Sequence, residues 1–235
     1  HPEVDMVSFT GSTAAGISVS KEASETVKRV TLELGGKSAN IILDDADMAK
    51  AAKMSIYSCF NNSGQECSSL SRLLIPSSHR EEIIEVISNT MERYSVGDPM
   101  DESIKCGPMV SESQQKSVSG YISKGISEGA TVISGGLGTP EGVSRGFYVK
   151  PTVFADVTRE MTIFREEIFG PVLSISTYET EEEAIIMAND SEYGLSGGVW
   201  SGDEERALRV AMAMRTGQVS ICLLYTSPSP RDTIR

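Results

Sequence analysis

Strand-like and helix-like patterning alternate along almost the whole chain. This constrains the fold more than any other feature, because a strand followed by a helix returns most readily as a parallel neighbour in the same sheet. Residues 12–29 read as a helix entered through Gly11-Ser12-Thr13, and 29–34 as a short strand carrying Val30, Leu32 and Leu34, broken by Gly35-Gly36. Residues 40–43 form a buried-strand pattern, and Asp44-Asp45-Ala46-Asp47 offers capping carboxylates for a helix running to about Asn61. Residues 73–75 read as a strand. Ser78 with Glu81, and Ser111 with Gln114, have capping-box spacing ahead of helices carrying Ile83, Ile84, Ile87, Met91 and Tyr94 in the first case and Val118, Ile122 and Ile126 in the second. Further strands are expected at 131–133, 151–154, 172–178, 198–200 and 218–221, with helices at about 180–189 and 203–214. The stretch 135–146 is a glycine-rich exposed loop. The expectation is an α/β fold with a largely parallel sheet.

Composition narrows the partners. The 235 residues carry a net charge of −12 with a pI near 4.7, which disfavours nucleic acid and anionic membrane and points to a small molecule. No run approaches the roughly 18 apolar residues of a membrane span, and His1-Pro2-Glu3-Val4-Asp5 has no signal-peptide pattern, so a cytoplasmic location is expected. Cys59, Cys67, Cys106 and Cys222 are irregularly spaced and His1 and His79 are the only histidines, which fits neither a disulfide framework nor a metal site. Cys59 belongs to an apolar helical pattern and is expected to be buried. Cys67 follows Gly64-Gln65-Glu66 in a polar stretch where burial does not explain a thiol.

Four strings carry chemistry. Phe60-Asn61-Asn62-Ser63-Gly64-Gln65-Glu66-Cys67, with Arg72 following, presents a thiol in a polar turn, and a thiolate is the strongest common side-chain nucleophile near neutral pH. Taken alone, it leaves an incidental cysteine equally open. Thr31-Leu32-Glu33-Leu34-Gly35-Gly36-Lys37-Ser38 places one carboxylate in an apolar strand before a glycine pair. Glu33 there is either a general base at a strand's carboxyl end or a surface position of an edge strand. Gly-Gly-Lys-Ser is not a phosphate loop, because Thr31 stands where that loop needs its first glycine. Phe9-Thr10-Gly11-Ser12-Thr13 is either an ordinary helix cap or a strand leading into a helix N-terminus suited to a pyrophosphate. Glu166-Glu167-Ile168-Phe169-Gly170-Pro171 is either a solvated acidic face or a carboxylate and ring that hold a ribose and back a flat ring.

Together these strings resemble those of the aldehyde dehydrogenase superfamily, in register from about residue 3 to Ile221. The family's cysteine signature matches at Phe60, Gly64, Gln65, Cys67 and Arg72, and its glutamate signature at 32–38. The resemblance implies Cys67 as nucleophile and Glu33 as base. It further implies Gly11, Ser12, Leu34 and Gly35 near the cofactor, Glu167 at the nicotinamide ribose with Phe169 beside the ring, and Gln114 as a second ribose contact. The cofactor it implies is NAD, with NADP possible, and the substrate an aldehyde. Retention of Glu33 favours hydrolytic oxidation over acyl transfer to coenzyme A.

The expected fold is therefore α/β and aldehyde dehydrogenase-like: the end of the Rossmann-type cofactor domain plus most of the α/β catalytic domain. Residues 1–34 are assigned to the former, 35–221 to the latter, and 222–235, a Ser/Pro-rich string, to a non-native or disordered tail. The family's upstream half and its C-terminal end are not matched, so the 235 residues alone are expected to be inactive, and the parent a homo-oligomer, dimer or tetramer. Two other readings are a cysteine acyltransferase or hydrolase, which needs a histidine base, and a non-catalytic binding protein on the same scaffold.

Overall fold

In the computed structural model residues 1–223 are described, and among them the strands fall into two sheets. Strands β1 (Met6–Thr10) and β2 (Arg29–Glu33) pair in parallel, from Met6 against Arg29 to Thr10 against Glu33, with helix α1 (Thr13–Ser24) crossing between them. Ser12 caps α1, its hydroxyl accepting from the Ala15 N–H at 3.3 Å. The helix stops five residues before the expected end. Val27 adopts a left-handed φ of 53°, and the Lys28 N–H closes onto the Ala23 carbonyl at 3.1 Å, so the chain turns into β2 with no glycine to announce the stop.

The second sheet contains β3 (Ala39–Ile42), β4 (Arg72–Pro76), β5 (Thr131–Ser134), β6 (Thr152–Ala155), β7 (Val172–Tyr178), β8 (Ser196–Ser201) and β9 (Gln218–Leu223). Their order is β5-β6-β7-β4-β3-β8-β9, parallel throughout except for β5 against β6. β3 and β4 are buried along their whole length and β7 at all but Thr177, which places these neighbouring strands in the middle of the sheet with both faces covered. Successive side chains point to opposite layers. Ile42, Leu73, Ile75 and Leu173 pack with α2 (Met48–Phe60) and α3 (Arg80–Met91), while Ile41, Leu74 and Val172 pack with α4 (Glu112–Ser127), α6 (Glu181–Asn189) and α7 (Glu204–Ala213). Each such Ile or Leu contributes about 1.5–3 kcal/mol by burial. The serines of β7 are satisfied internally: Ser174 donates to the Ile163 carbonyl at 3.0 Å and Ser176 to that of Val157 at 2.6 Å.

Several local expectations need correction. The capping box of Ser78 and Glu81 does not form. A short 3-10 turn (Ser77–His79) precedes α3, His79 takes the N-cap position without a side-chain cap, and its Nδ1 meets Glu82 Oε2 at 3.0 Å. Tyr94 lies past the end of α3 and packs edge-on against Phe60, ring centroids 5.5 Å apart. A one-turn helix α5 (Thr162–Arg165) was not expected. β9 runs two residues beyond Ile221, because Cys222 and Leu223 stay in register with Trp200 and Ser201; the remainder of the expected tail, 224–235, lies outside the described residues. Cys59 is fully buried as expected, and burial pushes its thiol up to about 12.

Candidate active site

Thr10 and Glu33 end β1 and β2, so Gly11, Ser12, Leu34 and Gly35 emerge at the carboxyl edge of the small sheet. The second sheet presents its amino edge: residues 36–38 lead into β3, 65–71 into β4 and 166–171 into β7, and these three strands are neighbours in the order β7-β4-β3. Between the two edges lies a cavity of about 570 Å³. Cys67, Glu33, Gly11, Ser12, Leu34, Gly35, Gln114, Glu167 and Phe169 all line it, along with Gln65, Glu66, Ser117 and Tyr121. The sequence-predicted residues, scattered over 159 positions from Gly11 to Phe169 if both ends are counted, thus meet at one place.

Cys67 is positioned by strained backbone. Asn62, Ser63 and Gly64 are left-handed in succession, with φ of 48°, 57° and 70°, and this abrupt coil ends α2 and throws the chain outward. A β-turn follows, closed by the Ser69 N–H on the Glu66 carbonyl at 3.1 Å, with Cys67 at its first corner. Side chains then pin the coil. Ser63 donates to the Gly107 carbonyl at 3.1 Å. Gln65 donates to the Pro108 carbonyl at 3.3 Å and accepts from the Val110 N–H at 2.8 Å. The glutamine of the Gly-Gln-x-Cys string therefore holds the 107–110 loop against the thiol turn. Beneath the turn runs Gly36, where a Cβ would collide with the Cys67 carbonyl oxygen.

Glu167 and Glu166 diverge. Glu167 turns inward, and its carboxylate accepts the Gly36 N–H at 3.0 Å; burial pushes its pKa up, opposed by that hydrogen bond and by Lys37. Glu166 instead accepts the Tyr121 hydroxyl at 2.8 Å at the surface. Phe169 is left-handed, φ 56°, and its ring stays partly exposed on the cavity wall. Gln114 supports this strained position: its amide donates to the Ile168 carbonyl at 3.2 Å and the Phe169 carbonyl at 2.9 Å. Its nitrogen is thereby engaged by protein backbone, and a ligand in the cavity has only the amide oxygen to address. Gln114, Ser117 and Tyr121 form one stripe of α4 at three- and four-residue spacing facing the cavity. That periodicity would have disclosed the last two.

Two cations that stand in these strings, Arg72 and Lys37, are buried, which the sequence did not disclose. Arg72 donates to three carbonyls, Lys37 at 2.8 Å, Met187 at 3.0 Å and Ala188 at 2.8 Å, and stacks over the Phe164 ring at 4.8 Å. It ties the approach to β3 to the end of α6; burial first, and Arg165 nearby, bring its pKa down to about 10, opposed by Asp190. Lys37 is 1% exposed and its ammonium nitrogen has no hydrogen-bond partner among the described residues. Burial brings it down to about 7, against the pull of Cys59, Glu167 and Glu166 and with the push of Arg72.

The cavity suits a nicotinamide dinucleotide by its donor set. The start of α1 offers N–H groups for phosphate, Gly35 leaves room where a side chain would collide with Glu167, Glu167 offers an acceptor for sugar hydroxyls, and Phe169 offers an apolar ring. A cysteine hydrolase needs an imidazole by the thiol, and His79 sits at the start of α3 with Glu82, outside this cavity.

Comparisons with known proteins agree. The family model described as aldehyde dehydrogenase family matches residues 1–229. The chain is similar to 3-succinoylsemialdehyde-pyridine dehydrogenase of a Pseudomonas species, 51% identical over 231 residues that cover 97% of this chain and 48% of that protein. It is 45% identical over 221 residues to the peroxisomal aminoaldehyde dehydrogenase 1 of Pisum sativum, covering 94% and 44%. Among solved structures, a mutant of aldehyde dehydrogenase C from Pseudomonas syringae with NAD+ and octanal matches with a TM-score of 0.93 at 44% identity, over 97% of this chain and 46% of that one. A Mycobacterium tuberculosis aldehyde dehydrogenase complexed with NAD+ matches with a TM-score of 0.92 at 48% identity, over 97% and 47%. The chain spans about half the length of the curated relatives it matches. With its motifs gathered in one cavity and its fold shared with these structures, the chain belongs to the aldehyde dehydrogenase family.

Proposed function

We propose that the full-length protein oxidises an aldehyde to a carboxylic acid with NAD+, using Cys67 as nucleophile and Glu33 as general base. The observation that carries this is the convergence of Cys67, from the amino edge of one sheet, and Glu33, from the carboxyl edge of another, on a single cavity. In this reading residues 1–34 close the dinucleotide domain, and 35 onward form the thiol domain. The aldehyde is a small soluble molecule and the protein a cytoplasmic homo-oligomer. No helix among the described residues is long and apolar enough to cross a membrane.

The Cys67 thiolate adds to the carbonyl carbon, forming a C–S bond and an alkoxide. Among the described residues the Cys67 N–H, at the corner of its turn, has no hydrogen-bond acceptor, which leaves it available to the oxyanion. A bound nicotinamide dinucleotide supplies the acceptor for the hydride that this carbon then loses. Glu33, exposed at the cavity wall, takes a proton from water, whose oxygen attacks the resulting thioester. Collapse expels the Cys67 thiolate and releases the acid. Glu167, its carboxylate oriented by the Gly36 N–H, would hold the sugar side of the cofactor, with Phe169 on the same cavity wall.

The test follows the absorbance of reduced nicotinamide in the full-length protein supplied with an alkanal. Cys67→Ala abolishes turnover, and Glu33→Gln leaves the first hydride transfer while a thioester accumulates on the protein, visible as added mass. Unchanged steady-state rates in both variants would refute the assignment.

A further inference from the structure

A second cavity, of about 460 Å³, adjoins the thiol turn from another direction. It lies between the end of α2 and the starts of β8 and β9, and Glu66 is the residue it shares with the cavity containing Cys67. Ser68, on the other side of Cys67, also lines it. The two residues flanking the nucleophile thus both face this recess.

The chemistry of the recess is one-sided. Among the described residues Glu66 is its only acid, and no lysine or arginine lines it. The carboxylate is fixed before any ligand arrives: Asn61 donates to Oε2 at 2.9 Å and the Ser68 hydroxyl to Oε1 at 3.0 Å. Both are neutral donors, and among the described residues Glu66 makes no ion pair, so its charge is oriented but not neutralised. Tyr57, half exposed, and Met54 add an aromatic face and a polarisable thioether to the same wall. A preset carboxylate beside an aromatic ring recognises an organic cation by charge attraction and cation–π contact, and repels an anion.

We propose that this recess receives the substituent of the aldehyde and that Glu66 selects substituents bearing a positively charged nitrogen. This rests on the aldehyde-oxidising reading above. With the cofactor in the first cavity, a substituent on the carbon bonded to Cys67 has this recess as its adjoining space across Glu66 and Ser68. Discrimination by charge then arises a few bonds from the reacting carbon.

The test compares kcat/KM in the full-length protein for three aldehydes of matched length, ending in a trimethylammonium, a tert-butyl group and a carboxylate. The expected order is ammonium, neutral, carboxylate. Glu66→Gln lowers the ammonium-to-neutral ratio about tenfold, equivalent to about 1.4 kcal/mol, and Glu66→Lys reverses the order of ammonium and carboxylate. Ratios within each variant cancel any general effect on turnover at the neighbouring thiol. Competition by tetramethylammonium against the ammonium aldehyde, measured against sodium at equal ionic strength, reads the same site without a substitution. Unmoved ratios, a wild-type preference for the carboxylate, or no competition would each overturn the proposal while leaving aldehyde oxidation intact. No reduction of NAD+ with any of the three would overturn the aldehyde-oxidising reading itself, and this inference with it.

Discussion

The Gly36 N–H and the Glu167 carboxylate, 131 residues apart in the chain, are joined by a 3.0 Å hydrogen bond that links the approach to β3 with the approach to β7. Removing the carboxylate leaves a part-buried N–H without its acceptor, at a cost of about 1–3 kcal/mol. In the full-length protein Glu167→Ala, which also takes away the acceptor proposed for the cofactor's sugar hydroxyls, is expected to raise the Kd for NAD+ about tenfold by calorimetry. Glu167→Gln, which keeps an acceptor oxygen, is expected to fall between. Because burial raises the pKa of Glu167, it protonates at a higher pH than an ordinary glutamate, so wild-type affinity falls on acidification before other carboxylates titrate. An alanine variant that binds NAD+ as wild type does would discredit this role.

Gly36 also carries the turn above it. A methyl group there collides with the Cys67 carbonyl oxygen, in the turn that follows the left-handed coil at 62–64. In the full-length protein Gly36→Ala is expected to cost about 1–3 kcal/mol of stability and to lower kcat far more than that loss implies, by on the order of 100-fold through misplacement of the thiol. Paired urea unfolding and steady-state rates check this, and a variant with ordinary kcat would show that the contact relaxes harmlessly.

Lys37 makes stability depend on pH with a definite sign. Its pKa is near 10.5 when unfolded and about 7 when folded, because burial disfavours the charge. Between those values the unfolded chain binds the extra proton, so this residue makes the fold more stable as pH rises from about 7 towards 10. Lys37→Met, of similar length and uncharged, is expected to raise stability by roughly 1–3 kcal/mol near pH 6. The gain should vanish above pH 10. Thermal melts of both proteins across that range decide it, and a pH-independent difference would contradict a buried titrating amine.

Arg72 is expected to tolerate no conservative replacement. Its planar fork serves three carbonyls at once while its face lies on Phe164, and an ammonium cannot reproduce that geometry. Arg72→Lys is expected to cost about 3 kcal/mol or more, read from the urea midpoint. A cost under about 0.5 kcal/mol would place Arg72 with ordinary surface cations.

Much of this arrangement was legible in the chain itself. The alternation of strand-like and helix-like segments announced a largely parallel sheet, and the strings around Cys67, Glu33 and Glu167 announced a candidate site, because short-range signals lie in adjacent residues. What escaped was long-range or geometric. Nothing near Val27 marks a helix stop, since left-handed turns usually show a glycine and this one does not. Arg72 stood in a signature, yet its carbonyl partners at 187 and 188 belong to a helix 115 residues away. Gln114 lines the cavity as its motif implies, but its brace on the backbone of Phe169, 55 residues on, is a contact that no local pattern encodes. Glu66 drew no attention because its meaning depends on which cavity it faces.

Strand order also has a kinetic consequence. β4, which follows the thiol turn, is flanked by β3 on one side and by β7 on the other, with Arg72 opposite Ser174. The wall that carries Glu167 and Phe169 thus arrives about a hundred residues after Cys67 has been synthesised, an interval on the order of ten seconds at roughly 5–20 residues per second. During that interval the Cys67 thiol, the proposed nucleophile, exists without the groove that β7 completes. A nascent chain is therefore expected to expose this thiol most to stray electrophiles and oxidants before the sheet closes, so that reducing surroundings matter most while β7 is still to dock.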